Sequence, residues 1–371
     1  MTDIIFSELS CKHGCKIGVI ELNKPKALNA LSLNMIRLMH EKLIMWASDD
    51  KIRFIIMQGA GDKAFCAGGD VVSLYHAIKS STEAKAVLND YEIINNPSGE
   101  FFTLEYKLDL YIHEYTKPIL AWGDGYVFGG GLGLFAGATH RITTEKTIMA
   151  MPETAIGLYP DVGASWFLNQ MPNNLGLFLG ITGAFFNTAD AKYLGLSDFS
   201  IESSKNKTLI NELCQVDWTV QNDISDKLDN ILRDFESNSC SVMPVSKVQE
   251  NESIITSLIL HSNIDSIYNT IVNASFEDKW LRTAQQKLCS ASVLSILITY
   301  KQLELSKNFS IAECFEAEKN LSYRCCQYTE FSEGVRAQLV DKDKNPQWAF
   351  NKLSDINPEL IQWFFTKVTN T

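Results

Sequence analysis

Gly129, Gly130 and Gly131 follow an apolar, strand-like run and open a segment of small residues. Two carboxylates, Glu153 and Asp161, come soon after on the turn-forming stretches MPETAIG and YPDVG. Glycines that open a helix leave backbone N–H groups without intrahelical partners, a place where a developing oxyanion can sit. Carboxylates on loops held by a rigid scaffold are suited to acid/base work, and Pro152 and Pro160 stiffen the chain just before each acid. A second glycine turn, Ala67-Gly68-Gly69-Asp70, stands one β-α unit earlier. Two such turns can give two N–H donors to one oxygen, as a thioester-derived enolate or a tetrahedral oxyanion requires. Losing one donor typically costs about 3 kcal/mol of transition-state stabilisation.

Other chemistries compete for these residues. Gly131-Leu132-Gly133-Leu134-Phe135-Ala136 matches the G-x-G-x-x-A form of a dinucleotide fingerprint, but that fingerprint expects its acid at the end of a second strand, whereas Glu153 follows Pro152 inside a turn-rich run. Glycines can also serve close helix–sheet packing alone, a reading that the second glycine turn weakens. Cys66 has no histidine close in sequence to activate it and reads as a small apolar filler. Cys11, His13 and Cys15 lack the second pair that a zinc site needs, so no metal is expected. His113, His140 and Trp122 lie near the motif block, and isolated residues of this kind are assigned no role.

The elements that must position these groups are legible as repeated β-turn-helix units. KIGVIELN is strand-like and leads through KPKALNALS into a helix, LNMIRLMHEKLIMWA, for which Ser32 is the expected N-cap. FIIMQGAG reads as a buried strand, AFCAGGD as a glycine-rich turn before the helix VVSLYHAI. KPILAWGDGYV is a strand, GLGLFAGA a helix, HRITTEKTIMAM one or two short strands, and SWFLNQMP the start of another helix. This order predicts an α/β architecture with largely parallel strands. Beyond about Thr188 the character shifts, FESNSCSVMPVSKVQENES is a Ser-rich connector, and helices dominate from Ile254. The expected division is therefore 1–200, the core with its catalytic loops, and 201–371, mostly helical.

The chain has 371 residues, of which 46% are hydrophobic and 21% charged, enough for a substantial core. A formal charge of −11 argues against a surface built to neutralise phosphates, so nucleic acid is excluded as the main partner. No window resembles a spanning helix, and MTDIIFSELSCKHGCKIGVIELN has neither a signal-peptide core nor an Arg-rich transit pattern. Nine cysteines without a secretory signal point to reduced thiols, and the expected location is cytoplasmic.

Residues 16–200 resemble the crotonase superfamily, also called the enoyl-CoA hydratase/isomerase family, through NKPKALNALS, KAFCAGGD, KPILAWGDGYVFGGGLGL and MPETAIGLYPDVGA. Within it the chain resembles the 3-hydroxyisobutyryl-CoA hydrolase branch. MPETAIGLYPDVGASWF, Glu105-Tyr106 and the late EFSEGVRAQLVDKDKNPQW carry that likeness across nearly the whole chain. The resemblance implies a spiral of ββα units followed by helices that cover the acyl pocket. It implies that Gly69 and Gly130 donate to the thioester oxygen and that Glu153 activates water or attacks the carbonyl to form a mixed anhydride. Asp161 would orient water or the substrate hydroxyl, or protonate the departing thiolate. Glu105 would lie against the acyl end, the alternative being an exposed helix carboxylate. Lys26, Ala27, Leu28, Ala67, Gly68 and Asp70 would bracket coenzyme A, which is part of the substrate; no other cofactor is expected. Hydratases of the family carry a second glutamate where this chain has Gly133, so hydrolysis of a short 3-hydroxyacyl-CoA is the expected activity. The alternatives are an enoyl-CoA hydratase or isomerase and a silent CoA-binding protein. A homo-oligomer, trimer-based or smaller, is the expected assembly.

Overall fold

The computed structural model describes residues 2–82, 87–220 and 223–369. Its strands are β1 (Ile4–Ser10), β2 (Lys16–Leu22), β3 (Ile52–Gly59), β4 (Ala64–Cys66), β5 (Ile119–Gly123), β6 (Tyr126–Phe128), β7 (His140–Thr143), β8 (Ile148–Ala150), β9 (Phe186–Asn187) and β10 (Phe199–Ser200). They form one sheet in the order β1-β2-β3-β5-β7-β10 and a second in the order β4-β6-β8-β9. In the larger sheet β1 pairs antiparallel with β2, and every later pairing is parallel.

Parallel strands covered on both faces read as unbroken apolar runs rather than alternating ones. ILAWG in β5 is buried at every position, and FIIM in β3 is buried throughout. The face of this sheet packs Phe54 edge-on against Trp218, with Ile17, Val19, Ile56, Trp122 and Ile142 in the same core. β1, an edge strand, is exposed at most positions, and its weak alternation explains why the sequence pattern placed the first strand only at Lys16. AFC, expected as part of a turn, is the strand β4; three residues are too few to show a period. Ser32 caps the helix Leu33–Ala47 as expected, accepting the Met35 N–H at 3.3 Å.

The change of character near residue 200 does not coincide with the division of the fold. The chain contacts group into two units, each made of three chain segments. The first holds 1–69, 108–149 and 186–250, with both sheets; the second holds 70–107, 150–185 and 251–371 and is built from helices and turns. Within the second unit the helices Ala164–Gln170, Leu175–Thr182 and Val293–Ser306 pack on one another, and Ile311–Gln327 lies against Ala164–Gln170 and Thr329–Val335.

Candidate active site

In the first unit the two glycine turns run side by side. β4 and β6 pair in parallel, Ala64 opposite Tyr126 and Cys66 opposite Val127, so the turns leaving them come off the same end. A Cβ built on Gly68 would stand 3.5 Å from the Phe128 carbonyl oxygen and 3.9 Å from the Gly130 nitrogen. Gly68 and Gly129 turn with φ of 107° and 46°, which a side chain would strain. Gly130 opens the helix Gly130–Ala136, and its N–H has no carbonyl four residues back within that helix. Gly69 forms a parallel bridge with Leu31, in which Leu31 donates to the Gly68 carbonyl at 2.9 Å and the Gly69 N–H is not the donor.

The same unit brings the expected CoA-bracketing residues to these turns. Lys26 and Ala27 are exposed on a short 3-10 turn that Leu28 ends in the left-handed region, and Ala67 donates to the Leu28 carbonyl at 3.0 Å. Asn29, which sequence reasoning passed over, fixes that turn. Its buried side chain donates to the Ala60 and Ala64 carbonyls at 3.0 and 2.8 Å and accepts the Lys24 N–H at 2.9 Å. The available signal was the asparagine itself in KPKALNALS, since asparagine tolerates a φ such as its 58° best after glycine.

In the second unit Asp70 begins the helix Val71–Thr82 and accepts the Ser73 N–H. The carboxylates are placed by turns. Glu153 starts a 3-10 turn that Gly157, at φ 71°, closes by donating back to the Glu153 carbonyl. A Cβ on Gly157 would fall 2.2 Å from the Glu330 carbonyl oxygen, and one on Gly334 would fall 2.3 Å from the carbonyl carbon of Ile156. The helix Thr329–Val335 is thus pressed onto the turn that carries Glu153, which is why the late EFSEGVRAQLV block matters to the site. Its Arg336 bonds Glu333, Asp341 and Asp343 at 2.7, 2.6 and 2.7 Å and is half-exposed.

Glu153 is 5% exposed, Asp161 4% and Glu105 2%, so the reading of Glu105 as an exposed helix carboxylate is overturned. Glu153 Oε2 is buried with no hydrogen-bond partner. Burial and then the Asp161 charge push the Glu153 carboxyl well above its usual value. Burial pushes Asp161 up to about 7, against the pull of the Tyr106 hydroxyl. Burial thus disfavours the charged form of both acids, and the charge of Asp161 adds to the rise at Glu153.

Five residues that sequence reasoning left without a role complete the setting. Tyr106 Oη lies 2.5 Å from Asp161 Oδ2 and 2.6 Å from Ser322 Oγ, and Tyr159 Oη lies 2.9 Å from the same serine. Val162, just after Asp161, is held at φ 55°, a strained value for a β-branched residue. Glu318, fully buried, holds the chain there by accepting the Gly163 and Ser165 N–H groups at 2.7 and 2.9 Å and the Ser165 hydroxyl at 2.5 Å. Burial pushes Glu318 up to about 8 despite these donors. Among the described residues no group of three or more His, Cys, Asp or Glu is placed to hold a metal ion, and none of the nine cysteines is in a disulfide.

The enoyl-CoA hydratase/isomerase family profile matches residues 17–365. The chain is 36% identical over 366 residues to a mitochondrial 3-hydroxyisobutyryl-CoA hydrolase of Xenopus tropicalis, covering 98% of this chain and 89% of the relative. It is 34% identical to the Homo sapiens protein of the same name, over 96% and 88%. A Neurospora crassa protein named small ribosomal subunit protein mS47 is 33% identical over 96% of this chain and 69% of its own length. Among solved structures, a carnitinyl-CoA dehydratase from Mycobacterium thermoresistibile matches with a TM-score of 0.83 and 28% identity, covering 100% and 99% of the two chains. An enoyl-CoA hydratase from Rhodobacter sphaeroides matches with 0.82 and 25%, covering 99% and 98%. The expected fold is therefore the observed one. The expected cytoplasmic location is overturned by the hydrolase relatives, which are named mitochondrial. It had rested on the composition of the first residues and on the cysteine content, and those first residues are instead the strands β1 and β2 of the larger sheet.

Proposed function

The chain belongs to the enoyl-CoA hydratase/isomerase family and to its 3-hydroxyisobutyryl-CoA hydrolase branch, and we propose that it hydrolyses short 3-hydroxyacyl-CoA thioesters. The first candidate substrate is 3-hydroxyisobutyryl-CoA, with valine breakdown as the setting, and 3-hydroxypropionyl-CoA is the second. The observation that carries this reading is Glu153, a buried carboxyl with one oxygen left unpartnered, raised by burial and by the charge of the likewise buried Asp161. A buried group that is expensive to leave unsatisfied is kept where a reactant will meet it.

In this reading the Gly69 and Gly130 N–H groups receive the thioester oxygen as it gains charge, which lowers the barrier at the carbonyl. Glu153 takes a proton from water or attacks the carbonyl itself. Lys26, Ala27, Leu28, Ala67, Gly68 and Asp70 bracket the CoA portion, and Glu105 bounds the acyl end. Neither a metal nor a redox cofactor enters the reaction. Gly133 brings no side chain to the place where a hydratase would need its second acid, which speaks against hydration. The ribosomal relative is the observation that favours a second reading, a catalytically silent protein on the same fold.

Free-thiol release from 3-hydroxyisobutyryl-CoA, measured beside acetyl-, crotonyl- and 3-hydroxybutyryl-CoA, separates these readings. Selective release from the branched hydroxyacyl thioester is the expected result. Loss of the crotonyl double bond without thiol release would put hydration in its place, and CoA binding without turnover of any thioester would favour the silent protein.

A further inference from the structure

The block EFSEGVRAQLVDKDKNPQW folds into a strap that closes on its own helix. Arg336 gathers Asp341 and Asp343 at 2.6 and 2.7 Å, and Lys342 and Lys344 turn at φ of 58° and 54°, so the chain comes back along the helix Thr329–Val335. The Gln347 N–H then donates to Glu333 at 2.7 Å and the Ala349 N–H to Glu330 Oε1 at 3.0 Å, while the Trp348 indole N–H donates to the Ser290 carbonyl at 3.1 Å. Glu330 does more than anchor the strap. Its Oε2 accepts the hydroxyl of Ser292, a fully buried residue. The same Ser292 Oγ accepts the Ser295 N–H at 3.0 Å, and the Ser292 N–H donates to the Thr154 carbonyl at 3.1 Å. Thr154 stands next to Glu153 on the 3-10 turn. We infer that Glu330 is a positioning residue for Glu153: it fixes Ser292, and Ser292 holds the turn that aims the carboxylate.

Glu153 depends on that turn for its direction. Its Oε2 has no hydrogen-bond partner, and its carboxyl accepts a hydrogen bond from its own main-chain N–H, so the carboxylate moves with the backbone beneath it. Three contacts hold that backbone: the Ser292 N–H on the Thr154 carbonyl, the Glu330 carbonyl packed under Gly157, and Gly334 packed against Ile156. Two of the three lead to Glu330, one through its side chain and one through its main chain. Glu330 is only 2% exposed, and burial raises its carboxyl against the pull of the Ser292 and Ala349 donors. A carboxyl kept so deep, with a separate donor on each oxygen, ties together the segments that those donors belong to.

The inference deepens the proposed hydrolysis and rests on that reading for its kinetic meaning. There Glu153 takes a proton from water or attacks the thioester carbonyl. Either step needs its reacting atoms about 3–3.5 Å apart, and a misplacement of about 1 Å can cost on the order of a hundredfold in rate. Glu330 and Ser292 make and break no bond in the reaction and act through Thr154 alone. Their effect therefore falls on kcat rather than on KM. Lys26, Ala27, Leu28, Ala67 and Gly68, which bracket CoA in the same reading, lie in the first unit, whereas Glu330 and Ser292 lie in the second.

The first test needs no substrate. Ser292→Ala removes the hydroxyl, and Glu330→Gln keeps the size of the side chain but leaves one acceptor oxygen for two donors. Amide hydrogen exchange, followed by mass spectrometry on peptides spanning residues 150–160, is expected to quicken in both variants. Glu333→Gln loosens the strap at Gln347 without touching Ser292, and should leave those amides as they are in the wild type. Unchanged exchange in Ser292→Ala and Glu330→Gln, or an equal rise in Glu333→Gln, would overturn the inference whether or not the protein hydrolyses thioesters. The second test reads thiol release from 3-hydroxyisobutyryl-CoA. Ser292→Ala and Glu330→Gln should each lower kcat by roughly tenfold or more while KM changes by less than about twofold. The double variant should be no slower than the slower single one, since both act through one contact, and Glu333→Gln should keep the wild-type kcat. Losses that multiply in the double variant, or wild-type kcat in both single ones, would reduce Glu330 to an anchor for the strap. Failure of the wild type to release thiol from any thioester of the panel would count against the hydrolase reading and leave the exchange result to decide the role of Glu330.

Discussion

Stripping a carboxylate of water costs several kcal/mol unless donors replace the water, and Glu153 keeps one oxygen without any. Glu153→Gln is therefore expected to abolish thiol release while leaving CoA binding intact and thermal stability equal or raised. Turnover assays, CoA titration and melting curves check the three parts. Glu318 is the opposite case, a carboxylate that satisfies three donors around a strained turn. Glu318→Gln leaves at least one of those donors facing an amide N–H₂, at a cost of about 1–3 kcal/mol. The pH dependence has a definite sign. A buried acid whose folded-state value is raised from 4.5 to about 8 binds more protons folded than unfolded across that window, so its contribution to stability falls as pH rises through it. The stability gap between wild type and Glu318→Gln should accordingly shrink from pH 4.5 to 8 in denaturant titrations; a constant gap would mean that Glu318 does not titrate there. At this scale the two acids were legible because they stand close together on one turn-rich run. Glu318 and Ser322 were not, because they lie 153 and 163 residues from Ser165 and Tyr159, the groups that they bond, and no local pattern reaches so far.

Turns, rather than the long helices, carry the chemistry. Gly157 is needed twice over, for its φ of 71° and because a Cβ would meet the Glu330 carbonyl at 2.2 Å. Gly157→Ala is expected to cost about 2 kcal/mol or more and to lower kcat by displacing Glu153. Gly195 supplies the control, since it has φ 76° but open space around its Cα. Gly195→Ala should cost about 1 kcal/mol of left-handed strain and leave turnover unchanged, as urea melts and steady-state rates would show. The sequence pattern placed the helix after Ser32 and the strands β3, β5 and β7, whose period and caps are local. It missed β1, which is half-exposed at an edge, and β4, which is only three residues long. It also left Glu105 open between pocket and solvent, although Phe101, Phe102 and Tyr106 on the same helix are buried with it.

At the scale of the molecule, the order of β-turn-helix units spoke correctly about the α/β class and the motif block spoke for the family, whereas the boundary near residue 200 reflected a change in helix content rather than in contacts. The units interleave, three segments each. Residues 251–371 expressed alone should not fold, because Glu318 and Ser322 would lose Gly163, Ser165, Tyr106 and Tyr159 as partners. Circular dichroism and proton-exchange measurements on that fragment check this, and a cooperative melt would contradict it. The interleaving also governs how the enzyme comes into being. A ribosome that has just made Asp161 has delivered both acids, yet Ser322 arrives 163 residues after Tyr159, so the nascent protein carries its reactive groups long before the helix that packs beside them exists. Catalytic competence is thereby a late event of biosynthesis, and a product cut short before the Ile311–Gln327 helix is an inert chain rather than a weak enzyme.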